Sequence, residues 1–177
     1  MANRTSSLRA LGIGIVAGLR SMTAPAAVTW AAGHGRLSLG NSPLSLLDSA
    51  RAEHTARKLA LGEFVSDKTS MLPSRLRPGS LLFRLISGGV CGAAFSISDG
   101  EKPGAGAALG ATGALVGSLL GYAWRTRVIK QWQIPDLAGA LMEDALAVGL
   151  AAAVVSLPAQ RGARDAWADM DNPAWLP

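Results

Sequence analysis

A chain of 177 residues has room for one compact unit and little more. Apolar residues make up 49% of it and charged residues only 16%, while 21 glycines sit largely inside the apolar runs, where a water-soluble fold rarely places them. The formal net charge of +5 comes from short basic segments flanking those runs rather than from one basic stripe interleaved with aromatics, which excludes a nucleic-acid partner as its cause.

These features predict an all-α, polytopic membrane helix bundle whose main partner is the lipid bilayer. Four segments approach the roughly 20 apolar residues that a crossing helix needs: 8–31, 80–98, 104–124 and 137–157. A helix over 43–68 would make a fifth, so four or five transmembrane helices are expected. Residues 1–157 form the bundle domain, and 158–177 form a polar tail with Trp167 and Trp175.

The first segment opens like a secretory signal, with a basic start, a short apolar core and an Ala-Pro-Ala that resembles a cleavage site. Arg20 between core and site, and apolarity continuing through Trp30 and Ala32, argue for an uncleaved helix instead. Pro25 lacks an N–H and its ring obstructs the carbonyl of Ser21, so the helix should kink beside Arg20. Ser21 and Thr23 are the nearby hydroxyls that would help to satisfy the opened turn.

Residues 43–68 start well, at Ser42-Pro43, but carry many charges. Their second half, Leu59 to Val65, is more apolar than the first. The helix either lies at the interface and dips inward or spans while packed among others, and both depths stay open. Glu63 and Asp67 stand four apart on one helical face, and Lys68 adjoins Asp67.

Glycines dominate the third apolar run. Gly106, Gly110, Gly113, Gly117 and Gly121 recur at spacings of four, three, four and four, and Gly14 with Gly18 and Gly88 with Gly92 repeat the interval. Such a stripe lets another helix approach closely, so that van der Waals contact replaces the hydrophobic drive that lipid cannot supply. It serves either packing within the chain or an interface in a homo-oligomer. The "GAGAALG" portion has no preceding strand that would make it a phosphate-binding turn.

In the last run, Glu143 and Asp144 interrupt a stretch of Leu, Ala, Val and Gly. Charged groups at mid-membrane cost about 2.5–3.5 kcal/mol each on insertion scales, so they require partners or water. Ala140, Asp144, Ala147 and Ala151 share one small-residue face, with Gly139 and Glu143 on its shoulder, and Arg20 is the natural counter-ion. The candidate charge cluster is therefore Arg20, Glu63, Asp67, Lys68, Glu143 and Asp144. Its acidic surplus would favour protons or a cation, or hold one carboxyl protonated.

Lysines and arginines of the 68–84 and 125–136 loops place both on the cytoplasmic side of a plasma (inner) membrane, with "SDGEKPG" and the tail outside. The side of the amino terminus depends on whether 43–68 spans. "GIVAGLRS" and "GSLLGYAWR" share Gly-x-x-x-Gly followed by arginine, and "LALGEFVSD" and "LAGALMEDA" both place acids amid Leu and Ala. If 43–68 spans, the two pairs run in opposite directions, as in the inverted repeats of transporters.

"GLRS" (18–21), "GEFVSDKTSMLP" (62–73), the glycine-rich run and "ALMEDALAV" (140–148) resemble a family of small bacterial integral membrane proteins with no assigned activity, over residues 10–157. The resemblance implies a multi-helix membrane protein and supplies no mechanism.

An enzyme is not expected. No nucleophile elbow is present, and His34 and His54 fall twenty residues apart on loop and helix-start positions. Cys91 is the single cysteine and lies in an apolar run, so neither a disulfide nor thiolate metal binding follows, and no cofactor is implied. Two functions remain. Transport would use the acids, Arg20 and Pro25, whereas assembly would use the glycines and treat the charges as internal staples.

Overall fold

Prolines mark most of the helix boundaries. The computed structural model describes residues 4–40, 42–66, 78–129, 131 and 135–158. Among these residues six α-helices follow one another: α1 (Arg4–Leu19), α2 (Thr23–Gly33), α3 (Ala50–Ser66), α4 (Pro78–Ser98), α5 (Pro103–Ala123) and α6 (Asp136–Ser156). A 3₁₀ segment, Pro43–Asp48, leads into α3, and a π-helical segment, Trp124–Ile129, continues α5. Pro78 and Pro103 open their helices, where the missing N–H costs nothing, and Pro135 caps the start of α6. α4 stops at Gly100, whose φ of 73° lets Glu101 N–H reach the Ser96 carbonyl at 2.8 Å and Gly100 N–H the Ile97 carbonyl at 3.0 Å.

α1 is the central helix. It is buried on nearly all sides, including Ser6, Arg9, Ile13, Gly14, Val16, Ala17 and Gly18. α4 and α5 close on it through glycine. A Cβ at Gly14 would collide with the Gly110 carbonyl oxygen, and one at Gly117 would collide with that of Ile15. A Cβ at Gly88 would lie 2.7 Å from the Gly110 carbonyl oxygen, and those at Gly92 and Gly106 would each strike the other residue's carbonyl. Gly18 faces Ala114, and Gly113 faces Leu11, in the same manner, while Gly121 is buried lower on α5. These positions tolerate hydrogen only, and the glycine stripe is taken up within one chain.

The register of these contacts sets direction. Leu11 meets Gly113 and Ile15 meets Gly117, so α1 and α5 run parallel, whereas Gly88 on Gly110 and Gly92 on Gly106 make α4 antiparallel to α5. Arg20 lies at the level of Asp144 and Gly12 at that of Val154, so α6 is antiparallel to α1.

The predicted 8–31 span is corrected. It is two helices of 16 and 11 residues, because the chain reverses at Arg20–Met22 and α2 folds back along the bundle. Ser38 N–H reaches Ser98 Oγ at 3.1 Å at the same end of α4 where Asp99 meets Arg9, which places the two ends of this hairpin together. The reversal adds one change of direction ahead of α3. The segments "GIVAGLRS" and "GSLLGYAWR" consequently point the same way, where an inverted pair would oppose each other.

Three helices, Pro78–Ser98, Pro103–Arg127 and Leu137–Ser156, are long and apolar enough to cross a membrane. Their outer faces expose Leu82, Phe83, Ile86, Leu115, Leu119 and Leu146, while small and polar residues turn inward. α3 exposes Arg51, His54, Arg57 and Lys58 and buries Ala56 and Ala60, on the side that packs on α2. Asp67, Lys68 and most of the polar tail lie outside the described residues.

Gly117→Leu forces a side chain onto the Ile15 carbonyl and should lower the thermal midpoint of the detergent-purified protein. The loss corresponds to about 1–3 kcal/mol or more, as in other overpacked cores. Gly149→Leu, whose Cβ meets open space, should leave the midpoint unchanged. Equal midpoints for the two variants would show that α1 and α5 do not touch there.

Candidate functional site at the α1–α2 reversal

A helix that breaks inside an apolar bundle exposes amide groups that must be satisfied locally. The break at Arg20–Met22 meets that demand from three other helices. Ser21 N–H and Met22 N–H donate to the two carboxylate oxygens of Glu63 on α3, both at 2.9 Å. This carboxylate thus sits at the positive end of α2. Arg84 Nη1 donates to the Gly18 carbonyl at 2.7 Å, and Ser118 Oγ lies 3.3 Å from the same oxygen. Ser87 Oγ donates at 2.9 Å to the Ser21 carbonyl, the one that Pro25 cannot serve.

The opened turn is therefore not satisfied by the nearby hydroxyls. Thr23 Oγ1 is buried without a hydrogen-bond partner among the described residues, and Ser87, Ser118 and Arg84 carry the role instead. The hydroxyls belong to helices that only the folded chain brings alongside.

At the tip of the reversal Arg20 is buried to 1% exposure and donates from Nη2 to Asp144 Oδ1. The Phe64 ring covers its guanidinium, 4.5 Å from the centroid, adding a cation–π contact in surroundings that screen it little. Glu143, beside Asp144 and also buried, accepts from Arg125 Nε at 3.2 Å. Arg84 Nη2 lies 3.8 Å from Glu63 Oε1.

Arg84 and Arg125 had served in the sequence only as loop charges that mark sidedness. Both are part of the cluster, which holds Arg20, Arg84 and Arg125 against Glu63, Glu143 and Asp144. The expected acidic surplus is thus absent among the described residues, because two arginines reach inward from helix ends. Asp67 and Lys68 are not described.

A second ion pair escaped the sequence reading. Arg9 donates to Asp99, each side chain 1% exposed, and the Phe95 ring lies 4.6 Å from the Arg9 guanidinium. Arg9 looked like part of a basic leader and Asp99 like part of a polar turn, so nothing in the local pattern linked them. The signal was only that both border apolar runs. Buried Arg9 on α1 and Arg20 just past its end stand about 16 Å apart at about 1.5 Å per residue, marking opposite ends of the bundle.

Two clefts flank α6. One, of about 450 Å³, runs between α2, α3 and α6, from Thr23 and Phe64 to Trp30 and Val155. The other, of about 500 Å³, lies between α1, α5 and α6 and is lined by Leu19, Trp124, Arg127, Glu143 and Leu150. The first extends from Phe64, which covers Arg20, to Trp30 and Val155 toward the Arg9 end, and the second lies around the Arg20 end. They lie on two sides of α6, the first bordered by Phe64 over Arg20 and the second by Glu143 next to Asp144. No group of three or more His, Cys, Asp or Glu among the described residues is placed to hold a metal ion.

Comparison of the chain with family models, with curated proteins and with solved structures finds no match. What this site does must be read from its own geometry.

Arg20→Ala strands the Asp144 carboxylate in a buried position and should cost about 3–5 kcal/mol, the range for breaking one side of such a pair. The double change Arg20→Ala with Asp144→Asn should recover much of that loss in thermal unfolding. Strictly additive losses would contradict a direct interaction. Glu63→Gln leaves at most one good acceptor for two backbone donors and should destabilise by about 1–3 kcal/mol; hydrogen exchange should show faster loss of protection at Ser21 and Met22 than at α5.

Proposed function

We propose that this chain is a multi-pass protein of the bacterial plasma membrane that carries a small solute or ion across the bilayer, with α6 as the moving element. The observation that carries the reading is the pair of clefts on two sides of α6, one bordered by Phe64 over Arg20 and the other by Glu143 beside Asp144, with the buried Arg20–Asp144 pair next to both. Alternating access needs two half-pathways that meet at a barrier able to open and close. The broken α1–α2 hairpin, with its backbone served by Glu63, Arg84 and Ser87, matches the discontinuous helices from which transporters build such barriers.

α6 suits a moving role. α1, α4 and α5 are locked by glycine against backbone, whereas Gly149 on α6 faces open space and clefts border the helix on both sides. The apolar outer faces of α4, α5 and α6 and the resemblance of the Gly-Leu-Arg-Ser and Glu-Asp motifs to small bacterial membrane proteins support the setting. The basic residues at the Arg20 end support a cytoplasmic placement of that end. The balanced charge of the cluster supports a net-neutral barrier.

A second reading has its own observation. Three cations against three anions, each in contact, is also what a staple that only orders the bundle would look like, and then the protein serves assembly.

Accessibility separates the two. In a Cys91→Ala background reconstituted into vesicles, Leu146→Cys should react with a membrane-impermeant maleimide added at the Arg20 face, and Ala152→Cys with reagent added at the opposite face. Cysteines that stay inert from both faces would mean dry clefts, and the assembly reading would stand instead.

A further inference from the structure

Each cleft combines an apolar slot with a cationic and aromatic mouth. In the first, Ala27, Ala152 and Val155 line the interior, and Trp30 and Arg36 stand at the end near Gly33. The Arg36 guanidinium lies 5.6 Å from the Trp30 ring centroid, and His34 stacks on the same indole at 4.6 Å. The second has Leu120, Leu146 and Leu150 in its wall and Trp124 with Arg127 at its end. The Trp124 indole N–H is buried there without a hydrogen-bond partner among the described residues. No carboxylate among those residues pairs with the exposed Arg36 or Arg127, whereas Arg9, Arg20, Arg84 and Arg125 each have an acidic partner.

We infer that both clefts seat an anionic phospholipid, one in each leaflet, with an acyl chain between α6 and its neighbours and the phosphate at Arg36 or Arg127. Three properties select this chemistry. The slot walls are mostly apolar, which suits an acyl chain, with Thr23, Arg57 and Ser156 as further polar lining of the first and Glu143 of the second. The unpaired guanidinium at each mouth presents the forked donors that fit a phosphate. Tryptophan beside it is the ring that settles at headgroup depth, and the free Trp124 N–H offers a donor to a lipid ester or phosphate oxygen. Volumes of about 450 and 500 Å³ fall among ligand sites rather than packing defects. The two mouths, Trp30 with Arg36 and Trp124 with Arg127, lie at opposite ends of the bundle.

As the identity of the transported class, this inference rests on the transport reading; as a statement about binding, it does not. The carried molecule would then be the bilayer's own anionic lipid in place of a small solute or ion, its phosphate passing the buried guanidinium of Arg20 while its chain stays in the apolar slot.

The test uses the full chain in detergent, titrated with phosphatidylglycerol, phosphatidylcholine or inorganic phosphate and read by native mass spectrometry. Phosphatidylglycerol should bind with a stoichiometry of about two and be preferred over phosphatidylcholine. Arg36→Gln and Arg127→Gln should each weaken one site about fivefold, the loss of one cation near a lipid phosphate. Ala152→Trp fills the first slot without touching Arg36 and should abolish one of the two bound lipids. Equal binding of both lipids, indifference to the arginine variants, or full occupancy in Ala152→Trp would each overturn the inference, the last by showing lipid held on the surface only. Displacement of phosphatidylglycerol by equimolar inorganic phosphate would also overturn it in favour of a simple anion site.

Flipping is scored separately, with headgroup-labelled phosphatidylglycerol in vesicles and a quencher outside. Two bound lipids without flipping above protein-free vesicles would sustain the seats and remove the lipid as the carried molecule. Accessible clefts at Leu146→Cys and Ala152→Cys without lipid binding would do the reverse.

Discussion

Backbone amides freed at Arg20–Met22 set the terms for the rest of the bundle. In apolar surroundings each unsatisfied group costs several kcal/mol, so the reversal exists only while Glu63, Arg84, Ser87 and Ser118 stay where they are. Those four residues come from α3, α4 and α5. A local break in one helix therefore dictates the positions of three others. Asp144 on α6 adds the fifth element, through Arg20.

Glycine makes this convergence sterically feasible. Side chains as short as serine reach a carbonyl on the next helix only if the two backbones nearly touch, as at Gly18 against Ala114 and Gly88 against Gly110. Ser118 Oγ bridges the carbonyl of its own turn, Ala114, at 2.8 Å and that of Gly18 because α1 has no side chain in the way. The same economy of side-chain bulk leaves α1, α4 and α5 rigid. α6 meets α1 through Val154 on Gly12 and the Arg20–Asp144 pair, and the segment after α5 through Arg125–Glu143, so the element with the looser packing also carries the paired carboxylates.

Much of the architecture was legible in the residues, for particular reasons. Proline and glycine mark boundaries with strong local physics, and the starts of α4, α5 and α6 follow. The small-residue face of Ala140, Asp144, Ala147 and Ala151 is turned inward in the bundle, as helical periodicity implies. The reversal at Arg20–Met22 was legible only as a kink, because Pro25 signals a break but not its angle. That angle comes from Glu63 and Arg84, 42 and 66 residues away from the groups they bond. Arg9, Asp99, Arg84 and Arg125 were misread for a related reason. Charge at a run's edge looks like solvent-facing punctuation unless one knows which neighbour it will meet.

The central position of α1 bears on how the protein is made. Arg9 within it and Arg20 just after it are made well before their partners: Asp99 follows Arg9 by 90 residues and Asp144 follows Arg20 by 124. Neither cation has its counter-charge until much of the chain has been synthesised. The α1–α2 hairpin must therefore stay without its counter-charges until α4 and α6 exist, and it packs together with the later helices rather than ahead of them.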